Sequence, residues 1–452
     1  MLRPGADPLV PTLFEQPYLT KPPGIVWAIA LSSRILGETE LAARAPSALA
    51  ATLGALAAYF FAGRWFGWRY ALWAALAHVL TPQGWWFSRA AEIEALNNLA
   101  AQVSLAALLD VALGHGRTAI LLLGVASGLL MWLCKGPAGA STLAAGVLAV
   151  ALLDRSRGPL ALASIVALAP PALFAILVLV LSHRLEGLDV VRQGVTEFLW
   201  SDTRPRAIGE VFALAPTAWA LALPASLAIL FPFGPALARE RARDTHRETD
   251  FALALALACV LSLLLLAAAG VRNPRYALPA MVPAPFLAAY VARGVFTHAF
   301  ERRRARIARC LLHPALWIPL LAAGAVLFIV RHEPALRQSS GREAGLALGG
   351  HFEPGREVWA DHLVSARPEV LHYARREARS RGHNARVRWI PNLGGTLPAP
   401  GDFVVLRRDA TTDEEAAYRA AGLWHRLEPV HVGRVHEFEF TLFRVNAAGT
   451  PP

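Results

Sequence analysis

The sequence predicts an all-α polytopic membrane protein that carries a small α/β domain at its C-terminal end. Three observations predict this class: an apolar composition, ten long apolar stretches, and a change of pattern after residue 330. Hydrophobic residues make up 55% of the 452 residues, and charged residues make up only 17%. That balance is typical of membrane proteins and departs from the usual composition of soluble domains.

The ten apolar stretches approach or exceed the roughly 20 residues that a helix needs to cross the hydrocarbon core. They cover about 42–62, 70–87, 95–113, 118–134, 137–153, 159–182, 212–232, 251–270, 276–296 and 311–330. This count predicts three parts of the chain. They are an outer juxtamembrane segment (1–41), a transmembrane domain of about ten spans (42–330) and a soluble outer domain (331–452).

Basic residues orient the predicted spans. If residues 1–41 face outward, the five inner loops hold 14 lysine and arginine residues in 48 positions, whereas the outer segments up to residue 275 hold 11 in 84. The positive-inside rule favours this orientation. It predicts a protein of the cell (inner) membrane whose C-terminal domain lies on the extracytoplasmic side. The net charge of +11 is therefore explained by the basic residues that orient the protein in the membrane, and we expect no nucleic acid partner.

The same orientation raises a question about the N-terminal segment. Nothing before it would carry residues 1–41 across the membrane, because the sequence contains neither a signal peptide nor an earlier spanning helix. The apolar run 22–37 is short, contains Arg34 and suits the membrane interface better than a span. We expect that a first membrane helix precedes this sequence in the functional protein; the alternative is the reverse orientation.

The pattern after residue 330 alternates between strands and helices. The runs "REVWADHLV", "ARVRWI", "GDFVVLRR" and "HEFEFTLFRV" have the alternating polarity of strands. The runs "RPEVLHYARREARSRG" and "TTDEEAAYRAAG" have the composition of helices, and the second has a threonine cap and a closing glycine. These elements predict the small α/β domain.

Unusual polar residues gather in the segments predicted to face outward. Lysine occurs only twice among the 44 lysine and arginine residues, and each lysine precedes a turn that contains proline. Ionisable groups at membrane depth are costly and usually face a cavity or a partner. The candidates are Tyr18, Lys21, Glu92, Glu94, Lys135, Arg272, Arg275 and Tyr276.

These residue types suit a ligand that carries a phosphate group on a lipid. Cations would bind the phosphate, and a carboxylate would accept a proton from an attacking hydroxyl as the phosphate departs. A simpler interpretation is that Glu92 and Glu94 cap a helix N-terminus, and that Arg272 and Arg275 anchor the chain at the interface. A divalent metal would also fit such a cavity, although no set of metal ligands stands out in the sequence.

The runs "PYLTKPPGIVWA", "SRAAEIEAL", "LCKGPAG" and "RNPRYALP" resemble the GT-C glycosyltransferases of the aminoarabinose-transferase and protein O-mannosyltransferase type. The resemblance implies a GT-C type helical bundle and a polyprenyl-phosphate sugar as donor. It also implies that Tyr18, Lys21 and Tyr276 approach the lipid phosphate and that Lys135 is the lysine of the "KGP" turn. Glu94 matches an acid that is usually aspartate in the family. The family's presumed base lies in a loop upstream of these motifs.

The predicted function is the transfer of a hexose or pentose from a polyprenyl-phosphate donor to a lipid, glycan or protein acceptor at the outer face of the membrane. Lys21, Lys135 and Arg272 or Arg275 would hold the donor phosphate, and Glu94 with Glu92 would orient the acceptor or a metal. Two alternatives are a transporter of lipid or sugar-lipid and an inactive membrane scaffold. Transporters usually bind near the bilayer midplane between internal repeats, and neither feature is visible in the sequence.

Overall fold

The structure is a computed structural model of the 452-residue chain. It describes residues 10–13, 16–17, 21–114, 117–153, 157–184, 220, 222–223, 225–233, 246–269, 271, 274–300, 341–360, 368–389, 397–407, 419–420, 422–435 and 438–447. The chain divides into two compact units. The first comprises residues 1–12 and 17–319, and the second comprises residues 13–16 and 320–452.

The described part of the first unit is helical. Its α-helices are α1 (Gly24–Leu36), α2 (Glu40–Phe66), α3 (Trp68–Leu80), α4 (Pro82–Phe87), α5 (Ile93–Ala112), α6 (Thr118–Lys135), α7 (Ala140–Leu153), α8 (Arg157–Arg184), α9 (His246–Ala268) and α10 (Ala284–Phe300). Three 3₁₀ turns, Gly136–Gly139, Ala225–Phe233 and Pro274–Met281, lie between or beside them. Two short strands, β1 (Thr12–Leu13) and β2 (Gln16–Pro17), precede α1 in the sequence, and Leu13 and Gln16 belong to the second unit.

Among the described residues, five helices are long and apolar enough to cross a membrane. They are Glu40–Phe66, Ile93–Ala112, Thr118–Lys135, Gly158–Val180 and Arg247–Ala268. The predicted membrane fold class is confirmed. The single span predicted at 70–87 is wrong, because Thr81 caps a new helix by accepting a hydrogen bond from the Gly84 amide, and Pro82 follows it.

Three further predicted spans either differ from the structure or are not fully described. The 3₁₀ turn Pro274–Met281 occupies the start of the predicted span 276–296. Residues 311–330 lie outside the described residues, and 212–232 is described only in fragments. The ten-span count and the division at residue 330 stay predictions.

Helix α5 forms the centre of the bundle. In the most apolar 18-residue stretch of α5, 89% of the residues are buried. In the corresponding stretch of α8, only 17% are buried. A helix that is buried on all sides must be packed by close neighbours, and glycines allow that approach. A Cβ on Gly146 of α7 would lie 2.6 Å from Leu105 Cδ1, and one on Gly124 of α6 would lie 3.0 Å from Ala107 Cβ.

The second unit contains a five-stranded mixed sheet and two helices. The helices are α11 (Gly341–Gly349) and α12 (Pro368–Ser380), and the strands are β3 (Glu357–Ala360), β4 (Arg386–Trp389), β5 (Phe403–Arg407), β6 (Leu427–Val435) and β7 (Phe438–Val445). The strand order is β4-β3-β5-β7-β6, with β3 parallel to both β4 and β5 and the other pairs antiparallel. The predicted α/β class of this region is confirmed. Most of the helix predicted at 411–422 lies outside the described residues.

Candidate active site

The first turn of α5 carries the two candidate carboxylates. Glu92 occupies the N-cap position in an extended conformation, but its side chain makes no capping hydrogen bond. The simpler interpretation, that Glu92 and Glu94 are acids favoured at a helix N-terminus, agrees with these positions, but Glu92 forms no side-chain cap. Instead, Ser47 of α2 donates a hydrogen bond to the Glu92 carbonyl oxygen at 3.1 Å, which attaches the start of α5 to a neighbouring helix. Glu94 follows in the first turn, where the helix dipole favours an acid.

Lys135 is the last residue of α6 and is almost completely buried. Gly136 ends the helix at a φ of 53°, a left-handed conformation that favours glycine. The Lys135 ammonium lies 3.4 Å from Glu94 Oε1 and donates a hydrogen bond to the Arg275 carbonyl oxygen at 2.9 Å. It also lies 4.6 Å from the centre of the Tyr276 ring, within cation–π range. These contacts compensate the loss of water around a buried charge.

Arg275 joins the two carboxylates from the 3₁₀ turn Pro274–Met281. Its Nη1 atom lies 3.0 Å from Glu92 Oε2 and 3.9 Å from Glu94 Oε1. The guanidinium also lies 5.8 Å from the centre of the Phe87 ring. The Arg275 side chain is 49% exposed, so this is the cation of the turn that a ligand from outside the bundle would meet.

Lys21 lies in the segment just before α1 and is exposed. A close approach holds this segment against the end of α6, because a Cβ on Gly24 would lie only 2.7 Å from the Leu133 carbonyl oxygen. Lys21 is close enough to Glu92 to favour its ionised form electrostatically. The two lysine-containing turns of the sequence therefore meet at one end of the first unit.

The electrostatics of this group centre on Glu92. Partial burial raises the pKa of Glu92 above its ordinary value, and the neighbouring Glu94 adds to that effect, whereas Arg275 and Lys21 oppose it. The described cluster combines three cations, Lys21, Lys135 and Arg275, with two carboxylates. Such a group can bind an anion and still offer a carboxylate as a proton acceptor.

The structure brings together six of the eight residues predicted for the site. Lys21, Glu92, Glu94, Lys135, Arg275 and Tyr276 form one cluster, linked by the contacts above. Tyr18 and Arg272 lie outside the described residues. Ser47 and Phe87 were not among the predicted residues, because nothing in the sequence marks them; only their contacts with Glu92 and Arg275 do. In the described ranges, no group of three or more histidine, cysteine, aspartate or glutamate residues is arranged to hold a metal ion.

Comparison with known proteins agrees with this architecture. Residues 20–183 match the profile of a family described as dolichyl-phosphate-mannose-protein mannosyltransferase. No curated protein sequence gives a significant match.

Two solved structures are similar to the chain over nearly its whole length, and both are ArnT from Cupriavidus metallidurans. The apo structure gives a TM-score of 0.67 at 17% identity and covers 97% of this chain and 90% of its own. The structure bound to undecaprenyl phosphate gives a TM-score of 0.65 at 17% identity, with coverage of 99% and 92%. The chain therefore has the fold of these ArnT structures, the GT-C type helical bundle that its sequence motifs predict, and residues 20–183 are similar to the mannosyltransferase profile.

Proposed function

We propose that this protein is a membrane glycosyltransferase that moves a sugar from a polyprenyl-phosphate donor to a hydroxyl of an acceptor. The observation that carries the proposal is the cluster of three cations and two carboxylates at one end of the bundle. The matched mannosyltransferase profile supports the reaction class. The similar ArnT structure with undecaprenyl phosphate bound supports the class of lipid.

The residues divide into two roles in this proposal. Lys21, Lys135 and Arg275 bind the donor phosphate, and Tyr276 lies beside Lys135 to complete that group. Tyr18 and Arg272 are assigned to the same phosphate-binding group because of their positions in the sequence motifs. In the transferase reaction, the acceptor oxygen attacks the anomeric carbon and the bond from that carbon to the phosphate oxygen breaks. The polyprenyl phosphate leaves with the electron pair, and inversion at the anomeric carbon follows from this single displacement.

The carboxylates act on the acceptor side of the reaction. Glu94 and Glu92 share the cation Arg275, and Glu94 also contacts Lys135, so both carboxylates lie beside the phosphate-binding group, where they orient the acceptor hydroxyl and receive its proton. The acceptor is a lipid, a glycan or a protein, and the sugar is a hexose or a pentose. We propose that the site and the C-terminal domain face away from the cytoplasm, because arginine is denser in the opposite set of loops.

The test measures lipid binding and sugar transfer by the purified full chain in lipid nanodiscs. Undecaprenyl phosphate is the binding probe, and a panel of polyprenyl-phosphate sugars with membrane acceptors is the activity probe. Lys21→Ala removes an exposed charge-assisted contact and should weaken binding by about tenfold, the lower end expected for such contacts. Arg44→Ala is the matched control, because Arg44 is an exposed cation paired with Glu40 on α2. Equal affinity in the wild type and Lys21→Ala would contradict the phosphate role.

A further inference from the structure

The two carboxylates of the cluster differ in how firmly they are held. Glu94 is only 6% exposed and lies within 3.4 Å of Lys135 and 3.9 Å of Arg275. Glu92 is 35% exposed, and the partner of its carboxylate, Arg275, is 49% exposed. A pair so open to solvent contributes little to stability, whereas separating a buried pair leaves an uncompensated charge. The cluster therefore contains one fixed carboxylate and one that can exchange its partner.

The cation that holds Glu92 is also open to a ligand, because the Arg275 side chain is 49% exposed. Arg275 Nη1 contacts Glu92 Oε2 at 3.0 Å, and an anionic phosphate that binds the same guanidinium competes for its donors. Arginine binds carboxylate and phosphate through the same planar set of N–H groups. Lys135 has less freedom, because its ammonium is buried between Glu94 and the Arg275 carbonyl oxygen.

We propose that the donor phosphate displaces Glu92 from Arg275 and that the released carboxylate is the group that accepts the proton of the acceptor hydroxyl. Glu94 remains the fixed counter-ion of Lys135. During transfer, the acceptor oxygen forms its bond to the anomeric carbon while the bond from that carbon to phosphate breaks. The electron pair leaves with the polyprenyl phosphate, and the hydroxyl proton moves to Glu92. This inference rests on the proposed function and assigns separate roles to its two carboxylates.

The exchange couples lipid binding to protonation of Glu92. Among the residues that the structure describes, the charged groups that act on Glu92 are Arg275 from the 3₁₀ turn, Glu94 from its own helix and Lys21 from the segment before α1. Burial already raises the pKa of Glu92. Displacement removes the favourable contact with Arg275 and brings a phosphate anion near, so the pKa rises further in the complex.

The sign of the pH effect follows from that order of pKa values. Below the pKa of free Glu92, the residue is protonated in both states and lipid binding is strongest. Between the pKa of the free protein and that of the complex, binding takes up a proton and weakens as the pH rises. Above both values, Glu92 is ionised in both states and its competition for Arg275 is greatest. For each unit by which the pKa of Glu92 is higher in the complex than in the free protein, the affinity for the lipid at high pH is about tenfold weaker than at low pH.

The experiment measures the affinity of undecaprenyl phosphate for the full chain in nanodiscs between pH 5 and pH 9. Wild type, Glu92→Gln, Glu92→Asp and Glu40→Gln are compared at each pH. Each variant's affinity is divided by that of the wild type, which cancels the titration of the lipid phosphate itself. Glu40→Gln is the control, because Glu40 is an exposed carboxylate that is also paired with an arginine.

We expect Glu92→Gln to bind undecaprenyl phosphate about tenfold more tightly than wild type at high pH, with the ratio approaching one at low pH. Its rate of sugar transfer should fall by about 10²- to 10⁴-fold, the usual contribution of a general base. Tighter binding with slower transfer is a combination that a structural role does not produce. Glu92→Asp keeps the charge and should retain the pH dependence, and Glu40→Gln should give a ratio of one throughout.

Two outcomes would overturn the proposal in different ways. If Glu92→Gln binds the lipid as the wild type does at every pH, or transfers sugar at the wild-type rate, the exchange is wrong while the proposed function stands. If the wild type binds no undecaprenyl phosphate at any pH, the proposed function fails and this inference fails with it.

Discussion

The two ends of helix α5 carry buried carboxylates with opposite characters. At one end, Asp110 is fully buried and accepts hydrogen bonds from Arg64 Nε at 3.3 Å, Arg64 Nη2 at 3.1 Å and Trp65 Nε1 at 2.8 Å. At the other end, Glu94 lies 3.4 Å from Lys135 and 3.9 Å from Arg275. Asp110 comes 16 positions after Glu94, which corresponds to about 24 Å along the helix. The first carboxylate has short contacts from both of its partners, and the second has longer ones.

The difference separates an ion pair that holds the fold from one that can bind a ligand. Trp65, which donates to Asp110, also stacks on Phe251 of α9 at 4.2 Å with the rings almost parallel. The Asp110 contacts therefore join α2, α5 and α9 in a fixed arrangement. The Glu94 cluster instead includes a half-exposed arginine and an exposed lysine. Short and complete contacts indicate a structural pair, whereas longer contacts next to exposed cations indicate a site that can accept an anion.

The largest effect should come from Asp110→Asn. The change removes the charge that compensates Arg64, and breaking a buried pair of this kind costs about 3 kcal/mol or more of unfolding free energy. Unfolding in detergent, followed by the fluorescence of the tryptophans, measures the loss. The protein that remains folded should bind undecaprenyl phosphate within about twofold of the wild type, because small changes remote from a site leave its affinity nearly unchanged. A loss of lipid binding without a loss of stability would reverse the roles of the two ends.

Lys135→Ala should have the opposite profile. A charge-assisted contact to phosphate contributes about 1.5–3 kcal/mol, so lipid affinity and transfer rate should fall by about ten- to a hundredfold. The unfolding free energy should fall by less than in Asp110→Asn, because Glu94 keeps Arg275 nearby at 3.9 Å. Arg44→Ala serves again as the surface control in both measurements. Activity within twofold of the wild type would exclude Lys135 from the phosphate site.

Much of the fold could be predicted from the sequence, and the misses have physical causes. Strand β6 was missed because Pro429 and Gly433 interrupt its pattern. The structure accommodates them, since β6 is an edge strand with an irregular register between Pro429 and His431. Helix α11 was missed because of its glycines. They allow it to pack closely on α12, where a Cβ on Gly345 would lie 2.5 Å from the Val370 carbonyl oxygen.

The candidate site was predictable in its residue types but not in its contacts. The sequence identified the polar residues near membrane ends, and motif order suggested that they belong together. Hydropathy does not distinguish a helix that faces lipid from one that faces protein, so the burial of α5 was not predicted. Asp110 was overlooked, although an aspartate inside the apolar run 95–113 is the kind of residue that marks a partner. The contact distances and the exposure of the neighbouring cations distinguish Asp110 from Glu94.

Gly24→Ala tests whether the approach of α1 to α6 positions Lys21. The new methyl group would lie 2.7 Å from the Leu133 carbonyl oxygen, so the segment before α1 must shift away from Lys135. We expect lipid affinity to fall by a few-fold, about 1 kcal/mol, comparable to overpacking at a tight contact. Gly158→Ala is the matched control, because a Cβ there meets no atom within 4 Å. The same affinity in both variants would mean that the close approach does not position Lys21.

The smallest effect should come from Ser47→Ala. Ser47 is fully buried on α2 and donates to the Glu92 carbonyl oxygen at 3.1 Å, so the substitution loosens the start of α5 without removing a charge. Loss of one such hydrogen bond costs about 0.5–1.5 kcal/mol. If that bond positions Glu92, the transfer rate should fall by a few-fold while the affinity for undecaprenyl phosphate stays the same. Thr52→Ala is the control on the same helix, because its hydroxyl bonds only a carbonyl one turn earlier, at 3.0 Å. Equal losses of rate in both variants would indicate a general effect on α2, and the contact between Ser47 and Glu92 would then have no separate part in placing the carboxylate.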